Sequence, residues 1–306
     1  MTGVPTGAIT DPEWDSGQVS LQQREGRGVS MSTSPAITIS PQFRTLDGVR
    51  VRYADSGAAR EPTLLLTSPW PESIYAFAAI WDSLAAHARL FAIDLPGFGG
   101  SQRRDDLLSP RAMGDFLAAV IVEADLGTPH IVAPDVGTSA ALFAAASHPD
   151  RIASVIVGTG GAAVPLQLGE PLRSWVLDPD LEKYRRIDPQ VIVDTAVGTI
   201  AGGIPDEVHA DYRASYAGDR FVESMRYARR YPEELPALAG LLAQIDTPVT
   251  IINGLHDRVV PVANAEFLDE RLPASRAVLI DAGHFVWEEA PNEYAAAVLD
   301  AVTATS

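Results

Sequence analysis

The sequence contains no cysteine among its 306 residues. Disulfide bonds, a thiol nucleophile and any metal site built on thiolates are therefore excluded. Positive charge is also scarce, since 23 Lys and Arg residues stand against 40 Asp and Glu residues and leave a formal net charge of −17. Because nucleic acids and anionic membrane surfaces repel a protein of this charge, we expect neither as a partner.

Long apolar runs are missing as well. No stretch approaches the roughly 18 consecutive apolar residues of a transmembrane helix, and the N-terminus lacks the basic start and apolar segment of a secretory signal. The chain is nevertheless 46% hydrophobic, which is enough to bury a large core. We expect a cytoplasmic protein, a monomer or homodimer, that acts on a small molecule without a cofactor or a bound metal.

The first 40 residues are polar and rich in Gly, Ser and Thr. A segment of this composition buries too little apolar surface to offset the entropy of ordering it. Residues 1–40 are therefore predicted to be a disordered N-terminal extension, with an arm packed on the domain as the alternative.

From Gln42 onward, short apolar strands alternate with helical segments. Asp47-Gly48 is a strong turn pair between two alternating stretches and predicts a β-hairpin. A helix is predicted over residues 76–87, and another over residues 110–124, where Ser109-Pro110 combines a cap with a first-turn proline. This alternation predicts an α/β protein with a mostly parallel central sheet flanked by helices.

The alternation stops over residues 161–235, which contain helix-like pieces, several Pro and Gly, and few strand runs. Strand–helix order then resumes. This organisation predicts a core formed by residues 41–160 and 236–306, with residues 161–235 inserted as a helical cap. Such an insertion is expected over the carboxyl ends of the strands, where ligands bind in open α/β sheets.

The stretch HIVAPDVGTSAALFAAASHPD, residues 130–150, has the layout of a strand, a sharp turn and a helix. Small residues at Ala133 and Gly137 flank Asp135 at the apex of the turn. Hydrolases commonly present a serine nucleophile in this frame. Ser139 does not fill that role, because it lies about one turn into the helix and its side chain is expected to pack.

Two further residues with ionisable side chains come shortly after predicted strands. Asp257 comes after TIING and His284 after VLIDAG. The order Asp135, Asp257, His284, together with IDLPGFGGS (residues 93–101) and GLHDRVVP (residues 254–261), resembles that of the α/β-hydrolase superfamily. The resemblance extends from about residue 42 to residue 302 and implies the α/β-hydrolase fold.

The resemblance also implies a role for each residue. Asp135 is the expected nucleophile and His284 the expected general base. Asp257 is expected to orient the imidazole and stabilise its charged form. The main-chain N–H of Val136, next to the nucleophile, is an expected oxyanion donor.

An aspartate in place of the serine changes which carbon can be attacked. A serine that attacks a saturated carbon would form an ether, which does not turn over. A carboxylate instead forms an alkyl ester, which water can hydrolyse. Asp135 therefore indicates a substrate with a saturated carbon and a leaving group, such as an epoxide or a carbon–halogen bond.

The loop SPWPES, residues 68–73, resembles the His-Gly-aromatic-Pro motif of epoxide hydrolases, with Ser68 and Pro69 in place of His and Gly. The resemblance implies that the N–H of Trp70 is the second oxyanion donor. Haloalkane dehalogenases hold the halide with a Trp directly after the nucleophile and with an Asn or a second Trp. Here Val136 follows the nucleophile, and Trp70, at the Asn position, supplies one donor only. The Arg that follows the nucleophile in fluoroacetate dehalogenases is also absent.

Epoxide hydrolases protonate the departing oxygen with cap tyrosines, commonly two. By position, this resemblance selects Tyr184 and Tyr227, and Trp175 is a further candidate to contact the substrate. The segment MRYARRYPEELP, residues 225–236, also resembles the end of a dehalogenase cap. These resemblances favour an epoxide hydrolase that converts a mostly apolar substrate to a vicinal diol. A haloalkane dehalogenase remains the alternative, and a non-hydrolytic relative, such as a binding protein or a cyclase, is a third.

Overall fold

A computed structural model of the chain describes residues 38–57 and 60–305. Its strands are β1 (Gln42–Leu46), β2 (Val49–Asp55), β3 (Thr63–Thr67), β4 (Arg89–Ile93), β5 (His130–Pro134), β6 (Ser154–Gly158), β7 (Val249–Gly254) and β8 (Ser275–Ile280). The prediction that residues 1–40 are disordered falls almost entirely outside the described part. Residues 38–40 lie inside it, and Ile39 is buried.

Helices connect and cover these strands. They are α1 (Trp81–Ala85), α2 (Pro110–Glu123), α3 (Gly137–Ser147), α4 (Leu172–Leu177), α5 (Pro189–Val197), α6 (Asp206–Ser215), α7 (Arg220–Ala228), α8 (Tyr231–Ala239), α9 (Ala263–Asp269), α10 (Val286–Glu289) and α11 (Pro291–Thr303). Within the described ranges, no helix combines the length and the apolar character that crossing a membrane requires.

The eight strands form one sheet in the order β1-β2-β4-β3-β5-β6-β7-β8. The pairs β1/β2 and β2/β4 are antiparallel, and every other neighbouring pair is parallel. Every residue of the central strands β3, β5 and β6 is buried, as expected for parallel strands covered by helices on both faces. The predicted mostly parallel sheet flanked by helices is confirmed.

The hairpin between β1 and β2 turns at Asp47 and Gly48, both of which have positive φ angles, 46° and 72°. Two such residues form the tight turn whose twist matches that of the flanking strands. The helix predicted from Ser109-Pro110 is α2, in which the Ser109 side chain accepts a hydrogen bond from the N–H of Ala112. Both local predictions are confirmed.

The helix predicted over residues 76–87 is shorter than expected. A single 3₁₀ turn, Ile74–Phe77, precedes the five-residue helix α1. Ser73 starts that turn by accepting a hydrogen bond from the N–H of Tyr75, and the carboxylate of Asp94 accepts another from the N–H of Ile74. These side-chain contacts hold the backbone in the 3₁₀ turn, and the α-helix begins only at Trp81.

Five helices, α4 to α8, lie between β6 and β7. We call residues 159–248 the helical insertion. Among the contacts that join it to the rest of the protein, Arg52 pairs with Asp211, Ser73 donates to the same carboxylate, and Arg103 pairs with Glu223. The insertion is therefore held against the loops that follow β3 and β4.

Candidate active site

Asp135 lies at the sharp turn between β5 and α3. Its φ angle is +52°, in the left-handed region that non-glycine residues seldom adopt. Its N–H donates to the carbonyl of Gly158, and its carbonyl accepts from the N–H of Thr138. Both ends of the strained residue are thus anchored, and strain of this kind is concentrated at functional sites.

Close packing around the turn explains two glycines. A Cβ atom on Gly137 would lie 2.3 Å from Oγ1 of Thr67, and one on Gly160 would lie 2.3 Å from the carbonyl oxygen of Asp135. Neither position has room for a side chain. Close contacts with the end of β3 and with the residues after β6 therefore restrict the conformation of the turn.

The Asp135 carboxylate is held by two main-chain donors. The N–H of Trp70 lies 2.7 Å from Oδ2 of Asp135. The N–H of Val136, at the N-terminus of α3, also hydrogen-bonds to this carboxylate. These are the two N–H groups that were predicted as oxyanion donors, and both donate to the same carboxylate.

His284 stands on the other side of the nucleophile candidate. Its Nε2 lies 3.8 Å from Oδ1 of Asp135, and its Nδ1 lies 2.8 Å from Oδ2 of Asp257. The second oxygen of Asp257 accepts hydrogen bonds from the N–H groups of Val259 and Val260, each at 2.8 Å. The loop after β7 thus fixes Asp257, which in turn fixes the orientation of the imidazole.

Burial and neighbouring charge shift the protonation of both groups. Burial raises the pKa of Asp135 to about 6, although His284 and the two N–H donors act in the opposite direction. Burial alone would lower the pKa of His284, but the carboxylates of Asp257 and Asp135 outweigh it, so the pKa of His284 is raised. The charge on Asp135 therefore contributes to the basicity of His284.

The Trp70 side chain points into an aromatic cluster. Its ring stacks on Phe221 at 5.1 Å and meets the edge of Trp175 at 5.7 Å. Its indole Nε1 donates to Oγ of Ser224, on α7, at 2.8 Å. The expected contact candidate Trp175 thus belongs to this cluster, and the indole N–H of Trp70 already has an acceptor.

The predicted tyrosines occupy different surroundings. The Tyr184 hydroxyl lies 3.4 Å from the carbonyl of Ser174 and 3.3 Å from the carboxylate of Asp178, both within the insertion. The Tyr227 hydroxyl donates to the carbonyl of Val136 at 2.7 Å. Tyr227 therefore lies beside the nucleophile candidate, whereas the described contacts of Tyr184 do not reach it.

Two other tyrosines lie near Asp135. Burial raises the pKa values of Tyr216 and Tyr231, and the charge of Asp135 acts on both in the same direction. The Tyr216 hydroxyl donates to the carbonyl of Glu72 at 3.0 Å. The Tyr231 ring lies against Tyr227, with centroids 6.0 Å apart. Sequence reasoning passed over both, because position along the insertion does not show which ring turns inward.

Three polar residues of the site region were also missed: Ser224, Glu72 and Glu288. Glu72 stands inside the quoted motif SPWPES, and Glu288 stands four residues after His284. A carboxylate two residues before the apolar run IYAFAAIW was the one signal that Glu72 is buried. Among the described residues, no group of three or more His, Asp and Glu side chains is placed to hold a metal ion.

Comparison with known proteins agrees with this geometry at the level of the fold. The sequence matches the family model described as the alpha/beta hydrolase fold over residues 62–291. A 2-hydroxy-6-oxononadienedioate/2-hydroxy-6-oxononatrienedioate hydrolase from Burkholderia vietnamiensis is 27% identical over 263 residues, which cover 79% of this chain and 87% of the relative.

Two further similarities involve proteins named for chemistry on saturated carbon. A haloalkane dehalogenase from Psychrobacter cryohalolentis is 28% identical over 219 residues, which cover 66% of this chain and 67% of the relative. The solved structure of the epoxide hydrolase CorEH matches with a TM-score of 0.75 at 18% identity, covering 88% of this chain and 100% of that chain. The structural likeness shows the shared fold.

Proposed function

Because the chain belongs to the α/β-hydrolase fold family, we propose that it hydrolyses an epoxide to a vicinal diol through an ester on Asp135. One observation carries the proposal: Oδ2 of Asp135 accepts from the N–H of Trp70, the N–H of Val136 hydrogen-bonds to the same carboxylate, and Oδ1 faces His284. In this proposal Oδ1 attacks the substrate, and Oδ2 becomes the carbonyl oxygen of the ester.

In the first step, Oδ1 attacks a carbon of the epoxide ring and the bond from that carbon to the ring oxygen breaks. A carboxylate held in this way has one free oxygen, and it is a competent nucleophile toward saturated carbon. The departing oxygen takes a proton from a tyrosine hydroxyl. The product of this step is an alkyl ester whose carbonyl oxygen is Oδ2.

In the second step, His284 removes a proton from water and the hydroxide adds to Cγ of Asp135. The N–H groups of Trp70 and Val136 then stabilise the oxyanion on Oδ2. Collapse breaks the bond between Cγ and the alkyl oxygen, which takes the proton from His284 and leaves as the diol. The proton of the regenerated Asp135 carboxylic acid returns to the tyrosine, so atoms and charges balance.

The charges around His284 favour this order of events. The negative charge of Asp135 is one cause of the raised pKa of His284. Ester formation removes that charge, so the pKa of His284 falls once the alkyl ester exists. The imidazole is then more readily neutral, as a general base must be, at the stage that needs it.

The proton donor is assigned from the surroundings of the tyrosines. We assign this role to Tyr227 and Tyr231, since the Tyr227 hydroxyl contacts the carbonyl of Val136, next to Asp135, and the Tyr231 ring lies against Tyr227. Tyr184 is the less favoured donor, because its hydroxyl contacts Ser174 and Asp178. The helical insertion, residues 159–248, acts in this proposal as the cap that brings the tyrosines over the nucleophile.

A halide-releasing reaction would share the first attack but needs donors for the halide. Val136 has no side-chain N–H, and the indole N–H of Trp70 donates to Ser224. Both groups that would hold the ion are thus absent or occupied. For this reason we keep the haloalkane dehalogenase as the second candidate, although a relative of that name is 28% identical.

The test is a single turnover in ¹⁸O-labelled water with enzyme in excess over an aryl epoxide. The proposal predicts an unlabelled diol and label in the peptide that contains Asp135, because water attacks Cγ and not the substrate. An Asp135→Ala variant should give no diol. Label in the diol after one turnover, or diol formation by Asp135→Ala, would reject the covalent route and favour direct attack of water on the epoxide.

A further inference from the structure

Two carboxyl groups, on the buried Glu72 and the half-buried Glu288, take no part in the chemistry above. Glu72 is fully buried in the loop after β3, and Glu288 lies on α10, four residues beyond His284. The two side chains lie within hydrogen-bonding reach of each other. Neither is paired with a cation in any described contact.

Each carboxyl group has one oxygen with a donor and one without. Oε2 of Glu72 accepts from the indole N–H of Trp287 at 3.1 Å, and Oε1 of Glu288 accepts from the hydroxyl of Tyr212 at 2.9 Å. Among the described residues, the remaining oxygens, Oε1 of Glu72 and Oε2 of Glu288, are buried and accept no hydrogen bond.

A proton between the two groups accounts for both unpaired oxygens. Two facing carboxylates would repel each other and leave two buried acceptors unsatisfied, whereas one carboxylic acid donates to the other group and satisfies both. Burial raises the pKa of Glu288 to about 7 and holds the pKa of Glu72 well above its ordinary value. At neutral pH the pair therefore retains at least one proton.

The surrounding charges act in the same direction. Asp135 disfavours ionisation of Glu72, and Glu289 disfavours ionisation of Glu288. On α6, next to Tyr212, Asp211 is neutralised by Arg52. The pair is therefore surrounded by negative or neutralised groups.

The pair also joins the two segments that hold the catalytic groups. Glu72 belongs to residues 70–73, the segment whose first N–H donates to Asp135. Glu288 and Trp287 belong to α10, directly after His284, and the Trp287 ring lies 6.4 Å from the imidazole. The separation of these segments sets the spacing of the oxyanion donor and the base around the nucleophile.

We propose that Glu72 and Glu288 are positioning residues: a proton shared between them ties the oxyanion segment to the histidine segment and keeps Trp70 and His284 at their working positions around Asp135. The proposal rests on the proposed function for its catalytic consequence. Loss of the shared proton in alkaline solution places two like charges together in a buried site. The segments then separate, and turnover falls.

The first test needs no substrate. Infrared spectra at pH 7.5 should show the carbonyl stretch of a protonated carboxyl group in the wild-type protein, because ordinary glutamates, with pKa values of about 4.3, are ionised there. The band should lose intensity in Glu72→Gln and remain in Glu293→Gln, an exposed glutamate on α11. A band that is absent from the wild type, or unchanged by Glu72→Gln, would overturn the shared proton.

The second test is the pH profile of kcat with an epoxide substrate. In Glu288→Gln the amide can still donate to Glu72 and accept from Tyr212, so activity at pH 6.5 should stay near wild type while the loss of activity at alkaline pH moves upward by at least one pH unit. Glu288→Ala, which loses the contact, should lower kcat at every pH.

These outcomes separate a positioning role from a structural one. If Glu288→Gln lowers kcat by the same factor at every pH, without moving the alkaline limb, the coupling is wrong. The infrared band does not depend on turnover, so failure of the proposed function would leave that result intact. If Glu288→Gln does not fold, Glu72→Gln carries both measurements, since its amide can donate to Glu288 and accept from Trp287.

Discussion

The main-chain N–H of Trp70 donates to Oδ2 of Asp135 at 2.7 Å, across 65 residues of sequence. In the proposed mechanism, the same oxygen becomes the carbonyl oxygen of an ester formed through Oδ1. The proposed mechanism therefore uses an oxyanion site that is assembled around Asp135 before any substrate binds, and that acts in the hydrolysis step and not in the attack.

Replacement of the nucleophile should abolish turnover. In Asp135→Asn the shape is kept, but the amide cannot attack carbon, and we expect kcat to fall by about 10³-fold or more. The measurement is diol formation with an aryl epoxide. Asp281→Asn, at an exposed carboxylate that pairs with His256, is the matched control and should retain full activity. Comparable losses in the two variants would contradict the assignment.

The acid side of the pH profile should report Asp135. The carboxyl group must be ionised to attack, and its pKa is raised to about 6. We therefore expect kcat/KM to rise with pH through an apparent midpoint near 6 and to be low at pH 5. Stopped-flow measurement over pH 4.5–8 checks this. A midpoint near 4, the ordinary value for an aspartic acid, would show that burial does not control the nucleophile.

Ser224 should decide whether the site can hold a halide. Ser224→Ala removes the acceptor of the Trp70 indole N–H and leaves a buried donor unpaired. A hydrogen bond to an anion is worth about 1.5–3 kcal/mol, so bromide should bind about 10- to 100-fold more tightly than to the wild type. Quenching of tryptophan fluorescence by bromide measures the affinity.

The control for this change is Ser215→Ala, at a buried serine on α6 whose hydroxyl contacts Asp211. It should leave bromide affinity unchanged. Equal affinity in the wild type and Ser224→Ala would mean that the indole N–H does not face the departing group, and the argument against halide release would lose its main support.

Tyr231 should contribute more to ring opening than Tyr184. Removal of a proton donor typically slows a step by about 10²-fold or more. We expect Tyr231→Phe to slow ester formation by this amount and Tyr184→Phe to have little effect. Both substitutions are made in a His284→Gln background, where the growth of the ester is followed by mass spectrometry. The reverse ranking would restore Tyr184 as the donor.

Stability should depend on pH through Glu288. Its pKa of about 7 in the folded protein lies above the ordinary value of an unfolded chain, so the folded state binds more protons between pH 4.5 and 7. This group therefore lowers the free energy of unfolding as pH rises through that window. Urea unfolding at pH 5 and pH 8 should show a smaller decrease for Glu288→Gln than for the wild type. Equal decreases would contradict the raised pKa.

Local features of the fold could be predicted from the sequence. Asp47-Gly48 predicted its hairpin, Ser109-Pro110 predicted α2, and the order Asp135, Asp257, His284 followed from strand ends that meet at one edge of a parallel sheet. These features depend on a few neighbouring residues or on the rule that carboxyl ends of parallel strands lie together.

The contacts that the helical insertion makes with the rest of the protein could not be predicted from local sequence patterns. The bond between Trp70 and Ser224 joins residues 154 positions apart, and the pairing of Glu72 with Glu288 depends on how α10 packs on the loop after β3. The tyrosines show the same limit. Position along the chain selected Tyr184 and Tyr227, but only tertiary packing decides that Tyr231 lies against Tyr227 and that Tyr184 contacts Asp178.

The central claim is that Asp135 is alkylated during turnover. Its most direct test is the intact mass of His284→Gln after exposure to an epoxide, because this variant should form the ester and fail to hydrolyse it. The account predicts a mass increase equal to that of the whole epoxide, located by peptide mapping on Asp135 and absent from His284→Gln/Asp135→Ala. A folded His284→Gln protein with no adduct from any of a panel of epoxides and haloalkanes would contradict it.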